Sequence, residues 1–360
     1  MPSCGGRSAT CRPATEGHRV SLESDVARDG GYQRSGGGSH SLLRVRLAPF
    51  ARIDVTSWRA IAEEPVGAEE KWWLADPEDI RWLYKPVRFR ENGTRMGMDW
   101  AEVIASHLAG ALGLPHAHVE PATRDGVDGL VSRRVVPPGF ALRSGADQLL
   151  DCGAPGFKTY EERVGAERKT RPGHSLANIR AALADVDPPP AVAPKLTAFD
   201  VFVGYLILDA WIGNADRHEQ NWAVLEPETG ADARRLLSPT FDHASSLGYG
   251  LTEEQRCALA ADGVQLQRFA ENGRATRFEN AGSGSIPSLV TFALGGVALC
   301  SEGGRRFWRD AASALPTSTA RTVVERTPGL SEGTTTFIIR LLDENARRIR
   351  RECDRNARGA

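Results

Sequence analysis

With 360 residues, 41% hydrophobic and 25% charged side chains, and a formal net charge of −1, the chain has the composition of an ordinary globular enzyme of one large or two smaller domains. The near-zero charge excludes a chain-wide electrostatic footprint for nucleic acid, so no direct nucleic-acid binding is expected. The six cysteines (Cys4, Cys11, Cys152, Cys257, Cys300, Cys353) form no C-x-x-C pair, no apolar run is long enough to span a bilayer and the N-terminus has no signal-peptide core, so a soluble cytoplasmic protein without membrane contact is expected.

Residues 1–42 are poor in apolar side chains and carry the tracts Gly30-Gly31 and Gly36-Gly37-Gly38, which predicts a disordered tail. Structure is expected to start near Leu42, with a strand at Arg44-Val45-Arg46-Leu47. A hairpin follows, Lys71–Leu74 and Ile80–Lys85 around the turn residues Ala75–Asp79. A helix fits Trp100–Leu112: Asp99 is a good N-cap residue, Gly113 stands two residues before Pro115, and Ile104, Leu108, Ala111 and Leu112 share one face. Strands at His118–Pro121 and Gly129–Val136 complete a β-rich lobe over 43–136, closed by Pro137-Pro138-Gly139.

The remainder, 137–355, reads as a larger, mainly helical lobe. The stretch to about residue 185 is mixed and polar, and the prolines from Pro188 to Pro194 read as a stiff surface connector. Phe199–Ile212 is nearly all apolar and predicts a buried helix. Trp222–Leu225 reads as a short strand, followed by a loop and then Leu236–Pro239. Residues 251–330 are expected to be helical with loops around Gly273, Gly282–Gly284 and Gly303-Gly304. Phe337–Arg351 reads as a final amphipathic helix whose arginines meet solvent and the helix dipole. The fold class is therefore α+β and two-lobed, with a small β-rich N-lobe, a larger helical C-lobe and a concave site between the lobes.

The chemistry concentrates in Gly213-Asn214-Ala215-Asp216-Arg217-His218-Glu219-Gln220-Asn221 and in Phe241-Asp242-His243. Such short polar residues are also common in turns and caps. Here, however, the order is helix, polar loop, strand, hairpin loop, strand, Asp, which brings Asp216, Asn221 and Asp242 to one edge of a hairpin. An Asp facing a substrate hydroxyl, with an Asn and a second Asp as Mg²⁺ ligands, is the arrangement of phosphoryl transfer from ATP. That chemistry also needs a cation on the phosphates held by a helical carboxylate. Lys85, at the end of a strand, and Glu102, on the next helix, have that order; Glu102 could equally close a capping box with Asp99. Val66-Gly67-Ala68-Glu69-Glu70-Lys71 is a turn between strands, or a phosphate cradle using backbone N–H groups with Gly67 allowing close approach and Lys71 adding charge.

These residues resemble a known family, the HipA-like Ser/Thr kinases of bacterial toxin–antitoxin systems, which are distantly related to phosphatidylinositol kinases. The 213–221 segment resembles the signature GN-x-D-x-H-x-x-N. Leu237–Asp242 resembles L-x-P-x-Y-D, and Gly67–Lys71 looks like the phosphate loop G-A-Q-E-K with one substitution. Glu102–Pro115 resembles the helix ending in LGLP, and Leu130–Arg134 the lobe-connecting L-V-x-x-R strand. The resemblance spans roughly residues 62–250. It implies that Asp216 positions or deprotonates a Ser/Thr hydroxyl of a cytosolic protein and that His218 braces the loop. Asn221 and Asp242 would hold Mg²⁺, Lys85 the ATP phosphates, and the backbone from Val131 to Arg133 the adenine. From the family alone, a translation factor or an aminoacyl-tRNA synthetase is the implied substrate, and an antitoxin the implied partner.

Two departures bear on regulation. The chain before Gly67 is short for the additional N-terminal subdomain that helps relatives contact an antitoxin. Glu63-Glu64-Pro65-Val66 has no hydroxyl where some relatives autophosphorylate. A lipid or small-molecule kinase, and a non-catalytic ATP-binding regulatory module, stand as alternatives.

Overall fold

The chain's computed structural model describes residues 48–63, 71–190, 192–193, 195–228, 234–280 and 286–358. The expected disordered tail and first strand, and the Gly282–Gly284 loop, lie outside the described residues.

Six strands, β1 (Ile53–Asp54), β2 (Arg59–Glu63), β3 (Trp72–Ala75), β4 (Arg81–Pro86), β5 (Val119–Arg124) and β6 (Val127–Arg133), form one sheet in the order β1-β5-β6-β4-β3-β2. All neighbours are antiparallel except β1, which runs parallel to β5. The expected hairpin is β3–β4. Its turn is set by Asp76, whose carboxylate accepts from the backbone N–H groups of Glu78 and Ile80 and from the indole of Trp82.

Between β4 and β5 lies helix α1 (Met98–Ala111), which starts two residues before the predicted position. Its N-cap is Gly97, and no side chain caps it. Asp99 sits inside the first turn and accepts from Arg95 instead (2.7 Å). The capping box that would have occupied Glu102 therefore does not form, which frees that side chain for the sheet.

The helical lobe opens with β7 (Phe140–Ser144), α2 (Gly145–Asp151), the single turn α3 (Glu167–Thr170) and α4 (Leu176–Ala182). Its centre is α5 (Ala198–Ile212), every residue of which is buried. A helix apolar on all sides must be surrounded, and it is: the main core gathers on Phe202, Leu206, Trp211 and Ile212. After α5 come β8 (Ala223–Pro227) and β9 (Leu236–Leu237), which with β7 form a second, antiparallel sheet in the order β7-β8-β9. Helices α6 (Glu253–Ala261), α7 (Gly263–Glu271), α8 (Leu289–Leu299), α9 (Glu302–Ser313), α10 (Thr317–Arg326) and α11 (Glu332–Arg358) complete the lobe.

Gly303-Gly304, expected in a loop, lies in the first turn of α9. The reason is close approach. A Cβ on Gly304 would stand 2.4 Å from the carboxylate of Asp200, which caps α5 through Thr197 and accepts from Ser301 N and Oγ. The missing side chain lets α9 dock on the start of α5, where Trp308 donates to Asp200 O (2.6 Å). Helix α11 is longer than the predicted segment, and Arg348 is buried in it rather than solvated. Arg348 donates to Ala270 O and Asn345 Oδ1.

Candidate active site

Helix α5 delivers the polar loop. It ends at Gly213, whose left-handed backbone (φ 70°) closes the helix at no steric cost. The chain then turns under the helix end, where a buried ion pair holds it. Asp209, the single acid in the last turn of an apolar helix, receives both Nε and Nη2 of Arg217 at 2.8 Å and Asn214 Nδ2 at 2.7 Å. The other Nη of Arg217 donates to Asn221 O at 2.6 Å. Asn214 and Arg217 are thus tied to one carboxylate and Asn221 to Arg217, with Asp209 and Arg217 both about 2% exposed.

The candidate groups sit on and around this frame. Asn221 Nδ2 donates to the backbone carbonyl of Asp216 (2.9 Å), which closes the loop and leaves the amide oxygen without a hydrogen bond among the described residues. Asp216 is part-exposed: its Oδ2 accepts from Ser245 Oγ (3.3 Å), and Arg277 lies 2.6 Å from Oδ1. His218 Nδ1 accepts from the Gln220 N–H (3.2 Å), so the neutral ring carries its proton on Nε2. Burial lowers the His218 imidazole pKa while the Asp216 and Glu219 charges raise it; the net shift is downward.

The chain before Asp242 is pinned beneath the first sheet. Thr240 exchanges backbone bonds with Pro115 and Ala117, and Phe241 packs against the cluster of Val103, Ala117, Val119 and Leu130. This places Asp242 Oδ1 3.5 Å from Lys85 Nζ. Asp242 has a left-handed backbone (φ 58°), a conformation uncommon for a residue with a side chain and frequent at functional turns. The Lys85 ammonium holds its carboxyl below the usual carboxylate range. Lys85 also donates to both oxygens of Glu102, at 3.1 and 3.0 Å. Glu102 is 2% exposed; burial raises its carboxyl pKa, and Lys85 opposes that. Lys71 stands close enough for its charge to act on both Glu102 and Asp242.

The structure therefore brings together Lys71, Lys85, Glu102 and Asp242 on one side, and Asp216, His218 and Asn221 on the other, with His218 feeling the charges of both Asp216 and Asp242. Gly67 and Ala68 lie outside the described residues. Val131 and Arg133, the expected adenine-binding backbone, lie on the central strand β6. Val131 is mid-sheet between Tyr84 and Glu120, and the Arg133 N–H donates to His118 O at 2.8 Å. A central strand spends its backbone groups on both neighbours. Val135 and Val136 are the first residues beyond the sheet with N–H groups that have no partner among the described residues.

Sequence reasoning also missed Asp209, Arg217, Glu219 and Arg277. The signal for Asp209 was present, a lone acid in an apolar helix. Nothing local marked Arg277, which reaches Asp216 from far along the chain.

Beneath the loop, His174 is fully buried. Its Nδ1 donates to Arg277 O (2.6 Å), its Nε2 accepts from the Trp222 indole (3.2 Å), and it stacks on Phe278. Both nitrogens are satisfied only in the neutral ring, and burial holds the imidazole down to about 4. Between that value and the unfolded value near 6.5, the unfolded chain binds a proton that the folded one refuses. This share of stability is present above pH ~6.5 and is lost as pH falls toward 4, at about 1.4 kcal/mol per pH unit. The pH dependence of the unfolding free energy between 7 and 5 is expected to be shallower in His174→Gln than in the wild type. Equal slopes would show that His174 is not held neutral.

No protein-family model matches the sequence, and no curated protein matches it. Solved structures do. The proinflammatory kinase CtkA of Helicobacter pylori superposes with a TM-score of 0.64 at 16% identity, over 84% of this chain and 97% of that one. The HipA toxin of Shewanella oneidensis MR-1, from a complex with HipB and operator DNA, gives 0.42 at 15% identity over 84% and 67%. The Golgi casein kinase gives 0.37 at 13% over 86% and 73%. Among the described residues no helix is long and apolar enough to cross a membrane. With one sheet-based lobe, one helical lobe and the match to the Helicobacter structure over nearly its whole length, the chain has a two-lobed kinase-like fold.

Proposed function

We propose that the chain is an ATP- and Mg²⁺-dependent phosphotransferase acting on Ser or Thr hydroxyls of a protein substrate. The observation that carries this reading is one arrangement: Lys85 held between Glu102 and Asp242, across from an Asp216 whose loop is closed by Asn221. A lysine between two carboxylates is charged and fixed in direction, as a clamp on α- and β-phosphates must be. Asn221 and Asp242 offer oxygen atoms, the donor type Mg²⁺ selects. Such an ion is bound by one or two protein oxygens together with substrate phosphates. Bound there, Mg²⁺ would neutralise charge on the transferring phosphoryl group. Asp216 orients the acceptor hydroxyl and takes its proton, while Asn221 keeps the Asp216 carbonyl, and so the loop, in place.

The test is transfer of labelled phosphate from ATP with Mg²⁺, to the chain itself or to proteins of a bacterial lysate, comparing wild type with Lys85→Met. Transfer is expected in the wild type. In the variant, kcat/KM for ATP is expected to fall about 100-fold, the order of effect of removing one positioned charge-stabilising donor. A variant within threefold of wild type would remove Lys85 from the site. ATP binding with no transfer by the wild type would replace the phosphotransferase reading with that of a nucleotide-binding module.

A further inference from the structure

Two segments of the helical lobe that the phosphotransfer reading does not use, 157–175 and 274–280, are fastened together against the loop. His174 donates to Arg277 O, Glu279 N–H donates to His174 O, and the Glu279 carboxylate accepts from Gly173 N–H. They bring three guanidinium groups to the loop's carboxylates. Arg163, wholly buried, is ion-paired with Glu219 at 2.7 Å, and its Nε and Nη2 have no hydrogen-bond partner among the described residues. Arg277 reaches Asp216. Arg171 is 9% exposed, and its side chain has neither an ion pair nor a hydrogen bond among the described residues, although the charges of Arg277, Glu219 and Arg163 act on it.

Three cations thus meet two carboxylates. An arginine cannot shed its proton, and the Arg171 Nε is buried with no hydrogen-bond partner among the described residues. A planar guanidinium with a buried, unsatisfied Nε beside a partly exposed guanidinium is matched by a planar or tetrahedral oxyanion taken in two-pronged fashion. Arg277 has its main chain locked by His174 but its side chain 37% exposed, so it can swing from Asp216 to such an anion. While it rests on Asp216, the group that must receive the substrate hydroxyl is covered.

We propose that Arg171 and Arg277 form a subsite for an anionic side chain of the protein substrate, a carboxylate or a phosphate near the acceptor hydroxyl, and that Arg277 uncovers Asp216 when it engages that anion. This deepens the phosphotransferase reading and rests on it. Selectivity and activation then share one residue: a neutral substrate leaves Arg277 on Asp216, whereas an acidic one draws it away.

The experiment uses the full chain and three fluorescein-labelled peptides with one central serine, flanked by glutamate, by phosphoserine or by glutamine. Fluorescence anisotropy without ATP reads binding. In the wild type at least one anionic peptide is expected to bind about tenfold tighter than the glutamine peptide, the effect of one charge-assisted hydrogen bond. Arg171→Gln is expected to erase that difference. Tight binding of both anionic peptides assigns a carboxylate-or-phosphate site; tight binding of the phosphopeptide alone assigns a phosphate site. Equal binding of all three by the wild type, no measurable binding of either anionic peptide, or discrimination kept in Arg171→Gln would overturn the proposal.

In case Arg171→Gln does not fold, Arg277→Gln supplies a second reading. The ratio of kcat/KM for anionic over neutral peptide is expected to fall at least fivefold in it, chiefly because the neutral peptide is used better; an unchanged ratio overturns the latch. Discriminating binding with no label transfer to any peptide would instead count against the phosphotransferase reading and leave the anion site standing.

Discussion

Asp216→Asn is expected to lower kcat for phosphate transfer by about 10²–10⁴-fold, the range of a positioned general base, while ATP still binds. The substitution keeps the shape of the side chain and its acceptor oxygen for Ser245. It removes the charge that orients a hydroxyl and receives its proton. Folding is expected to be nearly unaffected. Among the described residues the ion pair lost is the one to Arg277, where both partners are part-exposed, and such pairs contribute at most about 1 kcal/mol. Initial rates with labelled ATP, beside a melting curve, make the measurement. A variant that retains more than a tenth of the wild-type rate would falsify the assignment of Asp216, whatever the fate of Lys85. A variant that melts far below the wild type would make the loss of rate uninformative, and the partial exposure of Asp216 is the reason this is not expected.

The second large effect belongs to a residue that touches no substrate. Asp209→Ala is expected to destabilise the protein by about 3–5 kcal/mol, the magnitude for breaking a buried ion pair by removing one partner. Arg217 would keep its charge at about 2% exposure with the Asn221 carbonyl as its remaining hydrogen-bond partner among the described residues, and Asn214 would lose its acceptor. Activity should fall further than stability alone explains, because Asn221 and Asp216 take their positions from the same frame. Urea unfolding and kcat, measured together, separate the two effects. A free-energy change below about 1 kcal/mol would mean that the loop is held by something other than this pair. Asp209→Asn is expected to cost less, since its amide oxygen still accepts from Arg217.

Local chemistry explains which elements were legible. The β3–β4 hairpin announced itself through turn residues with a mechanism, Asp76 above all. Helix α5 announced itself through fifteen buried positions with almost no polar interruption. By contrast, β2 has no buried face and so no alternation to read, and β1 is two residues long, defined by its parallel partner β5 alone. The start of α1 was misjudged because Asp99 looks like a cap, whereas Arg95 had claimed its carboxylate. Gly303-Gly304 looked like a break, although the second glycine is there to let a helix approach Asp200. For β1 and for Gly304 the deciding partner came from elsewhere in the chain.

The candidate site divides along the same line. The sequence by itself determined the spacing of Asp216, Asn221 and Asp242 and the order of Lys85 and Glu102, because residues within one loop or on successive elements keep their separation whatever the fold does. Only the tertiary structure decided that Lys85 stands between Glu102 and Asp242, that the free backbone edge begins at Val135 rather than Val131, and that Arg163, Arg171 and Arg277 crowd the loop from segments with no motif of their own. A charge buried beside a distant partner leaves no local periodicity and no local propensity. Its position follows from packing and from the cost of leaving it unpaired, and those terms exist only once the chain has folded.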